Sequence, residues 1–355
     1  MKHLYKHLIV VVLSATFIMS GMAGFAGNKD RAGQAGASEL LINPWTRTSG
    51  WGGANMAKLS GVEALWGNVA GAAYKTSTQV EFAYTDWLKG TGTTVMALGF
   101  VTNVGEGGAL GIQVMSMSFG EIEITTTDSP DGGVGTYKPN LMNVAISYSK
   151  AFSNNIYAGF LIKGVSESMS DVNAFGIALD IGIQYVTGEN DQLAFGISLK
   201  NVGPKMKFSG DGLSLRAFIP GQETLFTLEQ RSMAFEMPAQ LNIGAAYDFL
   251  MKNDMKFTLA GNFTSNSFTQ DQFALGLEYN FKDIFMLRGG YTFESGMWDP
   301  YTSYNNTNVS NGLSAGVSVA LPLNKEKGSF ISIDYAFRET ISFNNNHTIG
   351  IIFNF

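Results

Sequence analysis

The stretch Phe175-Gly-Ile-Ala-Leu-Asp-Ile-Gly-Ile-Gln-Tyr185 decides the fold. Its odd positions, Phe175, Ile177, Leu179, Ile181, Ile183 and Tyr185, are all apolar. Its even positions, Gly176, Ala178, Asp180, Gly182 and Gln184, are small or polar. Successive side chains of a strand point to opposite faces, so this stretch has one greasy face and one small or polar face.

The same alternation returns along the chain from Ser77 to Phe355, in segments of roughly 10 to 13 residues. Phe273, Leu275, Leu277, Tyr279 and Phe281 oppose Ala274, Gly276, Glu278, Asn280 and Lys282. Leu193, Phe195, Ile197 and Leu199 oppose Ala194, Gly196, Ser198 and Lys200, and Ile331, Ile333, Tyr335 and Phe337 oppose Ser332, Asp334, Ala336 and Arg338. A soluble β-sandwich also alternates, but its strands average about five or six residues. These segments are about twice that length and begin or end in aromatic residues. Eleven residues at about 3.3 Å each, tilted by about 40°, rise roughly 27 Å, close to the apolar band of an outer-membrane barrel with its aromatic girdles.

Fourteen such strands are expected, centred near residues 82, 98, 113, 146, 160, 180, 197, 243, 260, 277, 289, 317, 334 and 351. A bacterial single-chain barrel needs an even count. Short connections sit at Val104–Gly107, Ser153–Asn154, Gly188–Asp191, Leu250–Asp254, Phe281–Asp283 and Asn324–Gly328. Longer ones, Gly120–Tyr137, Lys205–Met237, Ser295–Ser310 and Glu339–Asn346, alternate with them. Short periplasmic turns and longer outer loops give this rhythm and put the C-terminus on the periplasmic side. The expected fold class is therefore all-β, a 14-stranded antiparallel transmembrane β-barrel spanning residues 76–355, multi-pass in the cell outer membrane with lipid around it.

Composition agrees. Of 355 residues only 15% are charged, against about 25% in ordinary soluble domains. The formal net charge of −6 offers no basic surface for nucleic acid. There is no cysteine, which excludes disulfides, Cys zinc sites and N-terminal lipidation. Residues 1–26 read as a cleaved signal peptide: a basic start at Lys2, His3, Lys6 and His7, an apolar run Leu8–Met19, and small residues at Gly24 and Ala26.

Residues 27–75 lack the alternation. They offer a short strand at Leu40–Ile42, then Pro44-Trp45, glycines at Gly50, Gly52 and Gly53, and a helix around Gly61–Trp66. So small a piece cannot bury its own core and is expected to pack as a hatch or plug in the barrel lumen or mouth. Trp45, Gly52, Gly53, Asn68 and Gly71 are its marked positions. Many inward positions of the barrel are Gly, Ala or Ser, which suits a lumen occupied by protein. The inward charges Glu81, Lys163, Asp180, Lys200, Glu278, Arg288, Asp334 and Arg338 come in near balance and are expected to satisfy one another and the plug.

The last strand carries Thr348, Gly350, Phe353 and a terminal Phe355. This polar-x-Gly-x-x-aromatic-x-aromatic spacing resembles the signal that outer-membrane assembly machinery reads on an open edge strand. For catalysis the chain offers little. Beyond the signal segment His347 is the sole histidine, and no G-x-S-x-G, H-E-x-x-H or Walker pattern occurs. Glu121 and Glu123 sit beside a loop as solvated charges. No catalytic residue, cofactor or metal is expected.

The loop Lys205–Met237 is unusually apolar for one exposed to water, with Leu213, Leu215, Phe218, Ile219, Leu225, Phe226, Leu228, Met233 and Phe235. Either it folds back over the barrel mouth or it docks on a partner protein.

Ala37-Ser-Glu-Leu-Leu-Ile42, Gly52-Gly-Ala54 and Ser60-Gly-Val-Glu-Ala-Leu-Trp-Gly-Asn-Val-Ala-Gly-Ala-Ala73 together resemble the N-terminus of the PorV/PorQ family. These are outer-membrane barrels of the FadL superfamily, found mainly in Bacteroidota. The family usually reads Asn-Pro-Ala-Gly where this chain has Asn68-Val69-Ala70-Gly71. Asn201-Val-Gly-Pro204 and Met237-Pro238 are also similar. The resemblance implies a barrel with an N-terminal hatch. For PorV-like members it implies a part in type IX protein secretion: binding a large outer-membrane translocon, capturing substrates and delivering them to an attachment complex. The leading expectation is thus a non-enzymatic, partner-binding barrel with a large outer-membrane protein partner. Uptake of hydrophobic small molecules, as in the superfamily's namesake, is the alternative. It requires an apolar path from the outer loops through a kinked strand. An accessory role in barrel assembly or glycan uptake is a third.

Overall fold

A computed structural model describes residues 27–355 except 76, 222–223, 253, 298–308 and 325–327. The signal segment and parts of the connections 295–310 and 324–328 lie outside the described residues.

Period-2 alternation carries the chain into fourteen long antiparallel strands. In chain order they are β1 (Gln79–Trp87), β2 (Thr93–Val104), β3 (Gly108–Ser118), β4 (Asn140–Ala151), β5 (Ile156–Met169), β6 (Val172–Thr187) and β7 (Leu193–Val202). The second half holds β8 (Gln240–Leu250), β9 (Met255–Asn266), β10 (Gln272–Phe281), β11 (Phe285–Glu294), β12 (Ser310–Asn324), β13 (Ser329–Thr340) and β14 (Asn346–Asn354). Each pairs with its sequence neighbour, and β14 returns to β1 in the register Phe82↔Ile351, so the sheet closes on itself. Closure leaves no barrel edge. All fourteen expected strands are present at the expected places.

The sidedness is inverted relative to a soluble protein. Along β6 the apolar row Phe175, Ile177, Leu179, Ile181, Ile183 and Tyr185 is exposed, while Ala178, Asp180 and Gln184 are buried. Across strands the rule repeats: Ile183, Ile197 and Ile243 stand side by side on the outside, and Ser198, Asn242, Asn262 and Ser332 are buried inside. A wall of exposed isoleucine, leucine and phenylalanine is costly in water and favourable in hydrocarbon. Among the described residues no helix is long and apolar enough to cross a membrane. Strands can cross instead, because a closed sheet pairs their backbone groups between neighbours; here that pairing is interrupted on one side of β6 between Phe175 and Ala178.

Residues 27–75 thread the lumen from the long-loop end to the short-turn end. The path starts at Ala35, which bridges to Glu236, and finishes with Tyr74 against Tyr157 at the short-turn end. It contains a 3-10 turn at Ser38–Leu41, helix α1 (Thr46–Gly50), a 3-10 turn at Gly61–Glu63, helix α2 (Ala64–Gly67) and a 3-10 turn at Val69–Ala73. The strand expected at Leu40–Ile42 is absent: Ala37 adopts a left-handed conformation, φ 51°, and turns the chain away from the one bridge it makes at Ala35. The helical piece expected near Gly61–Trp66 is present as the turn followed by α2.

Inward glycines make room for this segment. A Cβ on Gly99 would lie 2.1 Å from Val62, on Gly182 2.1 Å from Asn68, on Gly276 2.6 Å from Trp51, and on Gly350 2.3 Å from Thr46. The barrel wall is thinned where the hatch touches it, and Trp45, Val62, Leu65 and Val69 join Ala83, Ala97, Ala109 and Ala145 in one buried apolar cluster. The core of this protein therefore lies between hatch and wall.

Candidate functional site

Three features at the long-loop end define the candidate site: a cavity, a break in the wall and a projecting ribbon.

The cavity is a vestibule of about 460 Å³ above the hatch. One wall is apolar, with Ile42 from the hatch and Trp87, Met117, Phe119 and Leu141 from the ends of β1, β3 and β4. The opposite wall carries Gln240, Asn266, Gln272 and Glu294. Arg338 of β13 lines it and also a smaller cavity of about 70 Å³ below, beside Trp66 and Gly52. Glu39 lines it from the hatch; it is 1% exposed, and its two oxygens meet no hydrogen-bond donor of another residue among the described residues. Burial, with the facing Glu167 adding to it, pushes the Glu39 carboxyl from the usual 4.5 up to about 7.

The inward charges sort into two groups. Lys163 pairs with Asp180 at 2.7 Å, Arg288 with Glu278 at 2.5 Å, and Asp334 with Arg47 of the hatch at 3.1 Å. Glu63 completes the hatch side by accepting from the Arg47 and Thr48 amides at 2.7 and 3.0 Å. Glu81, Lys200 and Arg338 have no ion-pair partner among the described residues, against the expectation that all eight would be satisfied. Lys200 instead lies over the Trp66 ring at 3.5 Å. The reason is geometric: the nearby opposite charges, Arg47 for Glu81 and Asp180 for Lys200, are held in ion pairs of their own, and Glu39 shares a cavity with Arg338 without forming an ion pair with it.

The wall breaks between β6 and β7. Their register slips from Ile181↔Leu199 to Leu179↔Val202, with Asn201 in the left-handed region at φ 60°. Asp180 accepts from the Asn201 amide at 2.7 Å, Lys163 donates to Asn201 Oδ1 at 2.7 Å, and Asn201 Nδ2 donates to Pro238 O at 3.0 Å. Beyond this bulge β7 ends, whereas β6 runs on to Val172 and is met only by Phe208–Ser209. Asparagine in a left-handed position followed by Val202-Gly203-Pro204 is the sequence signal that could have located the bulge.

The loop after β7 is partly ordered into a ribbon, Ser214–Phe218 paired with Leu225–Glu229. Leu215, Phe218, Ile219, Leu225, Phe226 and Leu228 are exposed on it, and Met233 is 88% exposed. Leu213 is half-buried in the 3-10 turn at Asp211–Leu213. Phe235 alone folds inward: it is half-buried, packs on Phe208 at 5.4 Å between ring centres, and lies against Gly36 of the hatch. No ribbon residue lines the vestibule, while the base of the loop clamps the hatch. Glu236 binds Arg31 at 2.9 Å and Lys205 at 3.1 Å.

The marked hatch residues all lie at contacts with the wall or within the hatch. Trp45 is fully buried against Gly99. Gly52, φ 62°, accepts from Thr292 at 2.8 Å, and Gly53 sits at φ 82°. Asn68 donates to Ile183 O at 3.0 Å and caps the turn that holds Gly71, where a Cβ would strike Leu59 O. On β14, Thr348 and Gly350 face the lumen, Phe353 and Phe355 face outward, and Thr85 meets Thr348 at 2.9 Å.

No protein-family model and no curated protein matches the chain. Solved structures do. The toluene transporter TbuX of Ralstonia pickettii aligns with a TM-score of 0.53 at 14% identity, over 88% of this chain and 98% of its own. The toluene transporter TodX of P. putida gives 0.55 at 14% identity, over 88% and 99%. The CymD monoaromatic hydrocarbon channel gives 0.51 at 14%, over 88% and 97%. At such identities what is shared is the fold: this chain is a closed 14-stranded antiparallel barrel with a short helical N-terminal segment, built as those barrels are.

Proposed function

We propose that this protein is a non-enzymatic outer-membrane channel for small hydrophobic or amphipathic molecules, with the half-apolar vestibule as its entry and the long loops facing outward. The observation that carries the reading is the half-apolar vestibule above the hatch, whose lining residue Gln240 pairs with Lys200, next to the break at Asn201 in the β6–β7 wall. A barrel that served only as an anchor would have no use for a discontinuity held by three lumen side chains beside an apolar chamber. The structural neighbours, transporters of toluene and a channel for monoaromatic hydrocarbons, support the same direction. The inverted sidedness supports the membrane, and the long and short connections support a periplasmic C-terminus.

Uptake of radiolabelled toluene and of a labelled long-chain fatty acid by a deletion strain and its complemented counterpart tests this. Lower initial rates in the deletion strain for at least one solute support the channel. Equal rates for both would defeat it.

One observation favours a second reading, partner binding of the PorV type. The ribbon Ser214–Glu229 exposes six large apolar side chains, and none of its residues lines the vestibule. A secretion translocon or another large outer-membrane protein would bury them. Purification in mild detergent should then bring down a large membrane partner. Recovery of a lone monomer in every detergent would defeat this reading while leaving the channel intact.

A further inference from the structure

The vestibule is lined by two groups of opposite charge, Glu39 and Arg338, with no ion-pair partner among the described residues, while Glu294 on its polar wall accepts from Gln272 at 2.8 Å. Glu39 is buried in the hatch side, and its oxygens meet no donor of another described residue. Arg338 lines the floor, where no acidic residue pairs with it among the described residues. Glu39 is the buried one of the two, and a buried charge without a partner costs several kcal/mol, whereas Arg338 is half-exposed to the vestibule. Between the two lies an apolar chamber with aromatic rings at Trp87 and Phe119. Its volume of about 460 Å³ is in the range of small-molecule sites.

Accepting the vestibule as the solute entry, we propose that it takes a small zwitterionic amphipath, with an ammonium facing Glu39, a carboxylate facing Arg338 and an apolar body against Trp87, Phe119 and Leu141. A neutral hydrocarbon would leave both charged groups uncompensated, and a plain acid or a plain amine would leave one. A molecule carrying both charges satisfies both, and a guanidinium suits a carboxylate because its donors form a planar fork. The aromatic rings add a favourable surface for the ammonium. Gln240, Asn266 and Gln272 on the polar wall can hydrogen-bond the linking groups of a short peptide. Hydrophobic dipeptides and ω-amino acids are the chemical class that meets all of these demands.

The test is calorimetric titration of the full mature chain in detergent with four probes that each carry one phenyl ring: the dipeptide glycyl-phenylalanine, 3-phenylpropanoate, 3-phenylpropylamine and propylbenzene. The dipeptide should bind at least about ten-fold tighter than any other probe, a difference of about 1.4 kcal/mol. E39Q and R338Q should each remove most of that advantage, and R338K should retain part of it. Heat-modifiable migration on gels shows which variants have folded barrels; E39D and R338K carry the test if a neutral variant fails to assemble. Propylbenzene binding as tightly as the dipeptide, or a dipeptide affinity unmoved by the variants, overturns the zwitterion assignment and leaves the channel standing. Binding of no probe at all overturns both.

Discussion

The side chain of Asn68 occupies the space that a Cβ on Gly182 would need: such an atom would lie 2.1 Å from Asn68 Oδ1. Asn68 cannot swing aside cheaply. Its amide donates to Ile183 O at 3.0 Å and approaches Met56 O at 3.4 Å, and its carbonyl oxygen accepts from the Ala70 amide at 3.3 Å. Hatch and wall are therefore complementary at a single buried amide, and the missing side chain of a strand residue is part of the hatch's seat.

Gly182→Leu should consequently loosen the hatch without opening the barrel. Overpacking of this kind costs about 1–3 kcal/mol. The expected outcome is a lower urea midpoint for the folded, heat-modifiable band, with new protease cleavage between residues 27 and 75. Gly289, whose Cβ would meet nothing nearer than 4.0 Å, is the control. Gly289→Leu should leave both readouts unchanged.

The break at Asn201 is held by charge, which gives a second prediction. Lys163 is 5% exposed at its side chain, pairs with Asp180 at 2.7 Å and donates to Asn201 Oδ1 at 2.7 Å. Lys163→Met would leave Asp180 buried without its cation, a change that typically costs about 3–5 kcal/mol. The double variant Lys163→Met/Asp180→Asn should recover much of this loss. If the single and double variants unfold at the same urea concentration, the pair does not hold the bulge. A spin label at Val202 should also gain mobility in the single variant, because the αL turn loses its side-chain support.

Much of this architecture was legible from residue order alone, and the division has a physical basis. Alternation is local: Phe175 to Tyr185 shows its two faces whatever its neighbours do, and so all fourteen strands fall where the pattern puts them. Small inward residues such as Gly182, Gly276 and Gly350 also hint at a filled lumen, because a wide aqueous pore has no need to thin its wall. Pairing is not local. That Asp334 meets Arg47 while Arg338, four residues on in the same strand, meets no acid depends on the hatch's route through the lumen. The Lys205–Met237 loop shows the same limit. Its composition marked the residues, but only the pairing of Ser214–Phe218 with Leu225–Glu229 separates the exposed Phe218 from the inward Phe235. Leu40–Ile42 looked like a strand because three apolar residues in a row fit one; the left-handed Ala37 makes it a turn.

Glu39 predicts a pH dependence whose sign is fixed. Its folded-state pKa of about 7 lies above the usual 4.5, so the folded protein holds this proton more tightly than the unfolded chain does. The contribution to stability is complete below pH 4.5 and is lost as pH rises toward 7, after which it changes no further. Urea midpoints of the detergent-solubilised barrel, measured from pH 4.5 to 8, should therefore fall across this window. Glu39→Gln should flatten the part of the slope that Glu39 contributes. Parallel curves for the variant and the parent protein would show that Glu39 is not the group responsible.

The membrane reading itself can be tested at one position. Ile197 of β7 stands outward between Ile183 and Ile243, about midway along the apolar wall. If that wall faces hydrocarbon, Ile197→Arg places a guanidinium near the bilayer midplane at a cost of about 2–4 kcal/mol. If it faces water, the same change removes an exposed apolar side chain and costs nothing. Folding titrations into phosphatidylcholine bilayers distinguish the two. The bilayer should discriminate strongly against Ile197→Arg and far less against Phe355→Arg, because the terminal residue lies at the rim where a long cationic side chain can reach the headgroups. The ranking of these two substitutions carries more weight than either magnitude, since both remove one large apolar side chain and add the same charge. Depth in the membrane is then the variable that separates them.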